Sequence, residues 1–178
     1  KLIFEGESIT ITGAVKLTGD VEFRNEILKQ KSATDSTPVA LKIELDKYTL
    51  TISEGNELTN VDSIVGKAGS VLEINDNVSQ EIKGAVSGIG VLRLDGTLIT
   101  GGDVSVTNIE SNGGAQLHYN LDKKTSIGGV VTFDEGTDEA DAKIALYPYK
   151  NGTLITSCDK DMVIIDVCSK AVLTDFDV

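Results

Sequence analysis

The side chains able to do chemistry are few. His118 is the only histidine among 178 residues, so a Ser-His-Asp arrangement would need it held beside a nucleophile and oriented by a carboxylate. Its place between Leu117 and Tyr119 instead points it outward on a strand, as an exposed structural residue. Zinc sites built on several histidines are excluded by count, and Cys158 and Cys168, ten apart, lack the Cys-x-x-Cys spacing of a closed zinc site. The two cysteines read as a local structural disulfide across a hairpin or coil corner, worth about 2 to 3 kcal/mol for so short a loop. Free thiols are the alternative, favoured if the chain is cytosolic. Asp134, Glu135, Asp138, Glu139 and Asp141 form an acidic run that could offer hard oxygen ligands to calcium. The run matches neither an EF-hand loop nor the calcium nonapeptide, and it holds no basic residue to serve a lyase. A solvated loop is the plainer reading, weak calcium binding the other. Glycine pairs at 101–102, 113–114 and 128–129 lack the Lys-Ser/Thr and following helix of a phosphate loop, and read as turns. Asn77-Val78-Ser79 and Asn151-Gly152-Thr153 fit the N-glycosylation pattern, which matters only in a eukaryotic source. No catalytic, cofactor or metal-ligating residue is assigned.

The elements that carry these residues are strands. Leu50-Thr51-Ile52, Leu72-Glu73-Ile74, Leu92-Arg93-Leu94 and Leu117-His118-Tyr119 recur at intervals of 22, 20 and 25 residues. A period in the low twenties with strand alternation and no helical pattern between copies is the signature of a stacked solenoid. A second ladder accompanies the first: Ile64 before Gly66, Ile82 before Gly84 and Ile127 before Gly128, with Val104-Ser105-Val106 in the intervening coil. The doublets predict Leu50, Ile52, Leu72, Ile74, Leu92, Leu94, Leu117 and Tyr119 stacked inside. Thr51, Glu73, Arg93 and His118 then form one exposed column with members about 4.8 Å apart. Glu73 and Arg93 would stack as an exposed ion pair worth about 0.2 to 1 kcal/mol.

Earlier, Ile9, Ile11, Val15, Leu17, Val21 and Phe23 alternate with polar residues as one or two coils, and Leu41, Ile43 and Leu45 share a face before the bend at Asp46-Lys47. Residues 25–40 break the pattern and read as a loop leaving the body, with one opening helical turn as the alternative. Residues 134–141 form a second excursion. Ile144 to Tyr147, Leu154-Ile155 and Met162 to Val167 read as further coils ending at Val172, Leu173 and Phe176. No linker divides the chain, so residues 1–178 read as a single domain of roughly seven to eight coils, a rod about 35 to 40 Å long. A β-sandwich or jelly roll of short strands is the alternative fold. The start at Lys1 without Met reads as a mature or excised piece of something longer.

The stretch from Ser63-Ile64-Val65-Gly66 through Leu72-Glu73-Ile74, followed by Glu81-Ile82-Lys83-Gly84 through Gly88-Ile89-Gly90-Val91-Leu92-Arg93-Leu94-Asp95-Gly96, resembles the passenger regions of bacterial autotransporters (type V secretion). Its style is that of the surface-cell-antigen passengers of intracellular bacteria, whose repeats run Ile-x-Gly-x-Gly-x-Leu-x-Leu-x-Gly, and it covers about residues 49 to 130. The resemblance implies a right-handed parallel β-helix displayed at the cell surface or secreted, a virulence-type adhesin without enzymatic activity. Such passengers bind through surfaces, so no functional residue carries over.

Charge narrows the partners. Sixteen basic and 28 acidic side chains give a net charge of −12, and the only arginines are Arg24 and Arg93, too few to neutralise a phosphate backbone. Neither nucleic acid nor an anionic membrane surface is expected as a partner. No stretch approaches the roughly 20 apolar residues of a membrane span, so membrane attachment is expected only through an anchor or translocator region outside these residues. The expected partner is a host-cell surface protein or glycan, with no cofactor. A carbohydrate-active β-helix, whether polysaccharide lyase, hydrolase or a tailspike-like glycan-binding module, is the rival; it requires carboxylates from adjacent coils to meet in a groove beside aromatic platforms, for which Tyr48, Tyr119, Tyr147 and Tyr149 are the candidates, with Tyr119 expected to be buried.

Overall fold

Alternating apolar and polar residues, rich in Ile, Val, Leu and Thr, suit a pleated chain with one face buried, and strands are what form. A computed structural model describes residues 2–5, 15–24, 40–55, 57–120, 122–134, 143–150, 153–154, 163–166 and 176–177. The strands run β1 (Leu2–Glu5), β2 (Val15–Lys16), β3 (Val21–Arg24), β4 (Leu41–Asp46), β5 (Thr49–Ile52) and β6 (Val61–Gly66). They continue with β7 (Val71–Ile74), β8 (Ser79–Ile82), β9 (Val86–Leu94), β10 (Thr97–Thr100), β11 (Val104–Ser111) and β12 (Ala115–Asn120). The last are β13 (Thr125–Ile127), β14 (Val131–Phe133), β15 (Lys143–Lys150), β16 (Thr153–Leu154), β17 (Val163–Asp166) and β18 (Phe176–Asp177). No helix occurs among the described residues, and none there is long and apolar enough to cross a membrane.

Parallel pairing stacks these strands into a three-sided β-solenoid. The first side is β1, β3, β5, β7, the second half of β9, the second half of β11, and β14. The second is β2, β4, β6, the first halves of β9 and β11, and β13. The third is β8, β10, β12 and β15. β9 and β11 each run across a corner, and there the burial alternation slips: Ile89 and Gly90 are buried in succession, while Thr107 and Asn108 both face out or partly out. Gly88, at φ +66°, supplies the bulge that shifts the register between Val86 and Ile89.

The core lies inside the three sides as columns. Leu50, Leu72 and Leu92 are in register and fully buried, as are Ile52, Ile74 and Leu94 one step along. Three of the four doublets therefore stack as their sequence predicts, with Thr51, Glu73 and Arg93 in register between them. The fourth does not join them. Leu117 pairs with Leu98 and Leu146 on the third side, and the next rung above Leu92-Arg93 is Ile109-Glu110. The second ladder is corrected in two members: Ile43, Ile64, Val86 and Val104 follow one another, but Ile127 stacks one inward step along, on Val106 and Ile89, and Ile82 belongs to the third side opposite Thr100.

About four turns wind through all three sides, fewer than the expected seven to eight coils, although the first side alone stacks seven rungs. Turn length is not the reason, since Leu92 to Ile109 takes 17 residues and Leu50 to Leu72 takes 22, no more than expected. The ends are: no strand forms on the third side before β8 among the described residues, and at the far end the strands stop winding. β15 pairs antiparallel with β16 and with β17, and β13 pairs antiparallel with β18, so Val163–Asp166 and Phe176 cover the last rungs instead of adding coils. The four rungs of the third side span only about 14 Å at the usual strand spacing. The excursion at 25–40, apart from exposed Ala40, and the acidic residues 135–141 lie outside the described residues, as do Cys158 and Cys168.

Candidate functional site: an acidic corner cleft

Each rung of the first side ends in a short polar residue where the chain turns toward the third. Inward-facing Ile74, Leu94, Ser111 and Phe133 are followed by Asn75-Asp76, Asp95, Asn112 and Asp134. Because the rungs are parallel and in register, these residues from different turns converge on one corner. The Asp95 carboxylate accepts the Asn112 backbone N–H at 2.7 Å, and the Asn112 side-chain amide lies 3.3 Å from both carboxylate oxygens of Asp76. Asn112 thus bridges two acids on the rungs below it. An open cleft of about 520 Å³ runs along this corner past Asp76, Ser79, Asp95, Thr97 and Gly113. A second of about 220 Å³ shares Asp95 and is lined by Glu73, Arg93, Glu110, Ser111 and Asp134.

Charge in the cleft is strongly unbalanced. Glu73, Asp76, Asp95, Glu110 and Asp134 face Arg93 as the only cation among the described residues lining the two clefts. Arg93 Nε bonds Glu110 Oε2 at 2.8 Å, which raises the guanidinium's already high pKa. The predicted Glu73–Arg93 pair is thereby corrected: the two stack, but Arg93 turns to the rung above and Glu73 accepts the Thr51 hydroxyl at 2.7 Å. That bond also buries Thr51, which is 4% exposed where an exposed residue was expected. Partial burial holds the Asp95 carboxyl above the usual carboxylate range, against the Asn112 bond, and Asp76, Asp134 and Glu73 add to the rise.

His118 lies on the third side, away from this cleft, and is not exposed. It points outward from β12, but Ile99 below and Tyr147 above are its register partners. Tyr147 meets it edge-on at 5.2 Å and 80°, and its Nε2 lies 3.0 Å from Gln116 Oε1. These neighbours leave it 9% exposed, and burial lowers its pKa below the ordinary 6.5. Tyr119 is buried at 4%, as the sequence predicts. Among the described residues the imidazole's hydrogen-bond partner is the Gln116 amide and not a nucleophile. The glycine pairs lie at turns and corners: Gly113 and Gly114 both have positive φ, and Gly102 packs against the Gly84 backbone.

Among the described residues no group of three or more His, Cys, Asp or Glu is arranged to hold a metal ion. Of the acidic run at 134–141 only Asp134 is described, and it joins the corner cleft. Sequence reading missed Asp76, Asp95, Glu110 and Asn112 as a group. The signal is a short polar residue after the last inward residue of each strand, but Ile109-Glu110-Ser111 breaks the doublet pattern, with Ser at its third position and a spacing of 17. Fold and site together define a three-sided parallel β-solenoid with an acidic corner cleft. Compared with family models, with curated proteins and with solved structures, the chain matches none.

Proposed function

We propose that this chain is a non-enzymatic segment of a bacterial surface or secreted protein, of autotransporter-passenger style, that binds a host-cell surface protein or glycan through its outer faces. The observation that carries the reading is the stacking itself. Outward side chains from successive rungs stand in straight columns about 4.8 Å apart, and such columns suit recognition of an extended surface better than capture of one small molecule. The acidic corner is the part best suited to a cationic partner patch, since Arg93 is already engaged by Glu110. Binding of the purified chain to host cells, followed by an Asp76→Asn/Asp95→Asn double variant, tests it. Saturable binding that weakens severalfold in the variant and falls with salt supports the reading; absence of binding by a folded chain overturns it.

One observation favours the carbohydrate-active reading as second: Asp76, Asp95, Glu110 and Asp134 come from successive rungs into adjoining clefts. Against it, no aromatic ring among the described residues lines either cleft, whereas sugar rings are commonly held on such platforms. A glycan array with turnover assays on the hits separates the two, and cleavage of any polysaccharide would reverse the order.

A further inference from the structure

We propose that Asn112 is a site of spontaneous covalent modification, deamidating through its bond to Gly113 and so adding a carboxylate to the acidic corner. Asn112 is exposed in the turn between β11 and β12 and is followed by Gly113 and Gly114, at φ +105° and +71°. Glycine has no Cβ to hinder approach of its own nitrogen to the preceding side chain, and asparagine is among the thermolabile residues. The Gly113 N–H donates to Ser111 Oγ at 3.0 Å, a bond that opens before the proton is lost, and the Asn112 amide is held beside the Asp76 carboxylate.

The step balances with water as the only co-reactant. A base removes the Gly113 amide proton, and the nitrogen attacks Asn112 Cγ. A C–N bond forms, the bond from Cγ to Nδ2 breaks, and ammonia leaves with a proton. Water then opens the five-membered imide at either carbonyl, giving aspartate or isoaspartate. Either product replaces a donor to Asp76 with an anion, in a corner that already holds Asp76, Asp95 and Asp134. Isoaspartate also lengthens the turn by one backbone carbon. The amide that bridges two rungs becomes a charge that repels them. The chemistry does not depend on the binding role assigned to the cleft.

The test ages the purified full chain at body temperature and mildly alkaline pH, with peptide mapping and enzymatic detection of isoaspartate. Asn151-Gly152, the chain's other Asn-Gly step, is an internal comparator. The expected result is isoaspartate at position 112 that accumulates faster as pH rises and is absent there in Asn112→Gln, whose longer side chain keeps the amide but cannot close the same ring. Asn112→Asp, which supplies one product outright, should melt below the wild type at neutral pH, with the gap closing in acid. Position 112 remaining an amide while the urea-unfolded chain converts there would overturn the site. An Asn112→Asp melting point equal to the wild type would overturn the consequence.

Discussion

Two titratable residues carry opposite pH signatures. His118 has its folded pKa lowered by burial, so the folded state binds its proton less well than the unfolded chain does. Its contribution is fully present above the unfolded value of 6.5 and is lost as pH falls through that value toward the folded one. His118→Phe, which keeps the edge-on contact with Tyr147, should flatten the fall in melting temperature between about pH 7 and about pH 5; an unchanged slope would show that the imidazole does not titrate against burial. Asp95 is the reverse case, a carboxyl with its folded pKa raised first by burial and then by its acidic neighbours. Its stability is best below the unfolded value of 3.8 and is lost as pH rises through the folded value. Asp95→Asn keeps an oxygen for the Asn112 N–H, and should raise the melting temperature at neutral pH with the gain vanishing toward acid. A variant less stable at neutral pH would mean that the carboxylate is needed at the corner.

At the scale of elements, the third side shows how a polar residue substitutes for a strand. Gln80 stands in the inward column with Leu98, Leu117 and Leu146 and is fully buried. In the turn below, Leu58 is not in a strand, and its backbone would lack a ladder partner. Gln80 Oε1 accepts the Leu58 N–H at 2.7 Å and Gln80 Nε2 donates to the Leu58 carbonyl at 2.9 Å, so the side chain reproduces both bonds of a missing rung. Gln80→Leu matches the column in shape and apolarity yet orphans both groups. It should destabilise by about 1 to 3 kcal/mol in urea titration, whereas a pure packing view expects a gain. The antiparallel strands at the far end act on a different hazard. β17 along β15 and β18 along β13 occupy backbone edges that would otherwise template another chain. A chain ending at residue 154 should form soluble oligomers that the full chain does not, visible by size-exclusion chromatography with light scattering; a monomeric truncation would show that those edges need no cover.

For the whole molecule, sequence alone determined that the chain is all-β, that it stacks as a solenoid, and which way most core side chains face. Those properties are local: strand side chains alternate with period two, so Leu50-Thr51-Ile52 and Leu72-Glu73-Ile74 declare their inner and outer faces without reference to anything distant. What tertiary structure decided is which rungs are neighbours. Leu117-His118-Tyr119 has the same pattern as the other doublets but sits on another side, because turns of 17 to 22 residues place corners where packing and glycines allow and not at a fixed count. The same non-local choice buried His118 between Ile99 and Tyr147, sent Arg93 to Glu110, turned the last strands antiparallel, and gathered Asp76, Asp95, Asn112 and Asp134 at one corner. Alternation fixes a direction within each strand; only the closed winding, which sets the distance between residues many positions apart, makes a site of them.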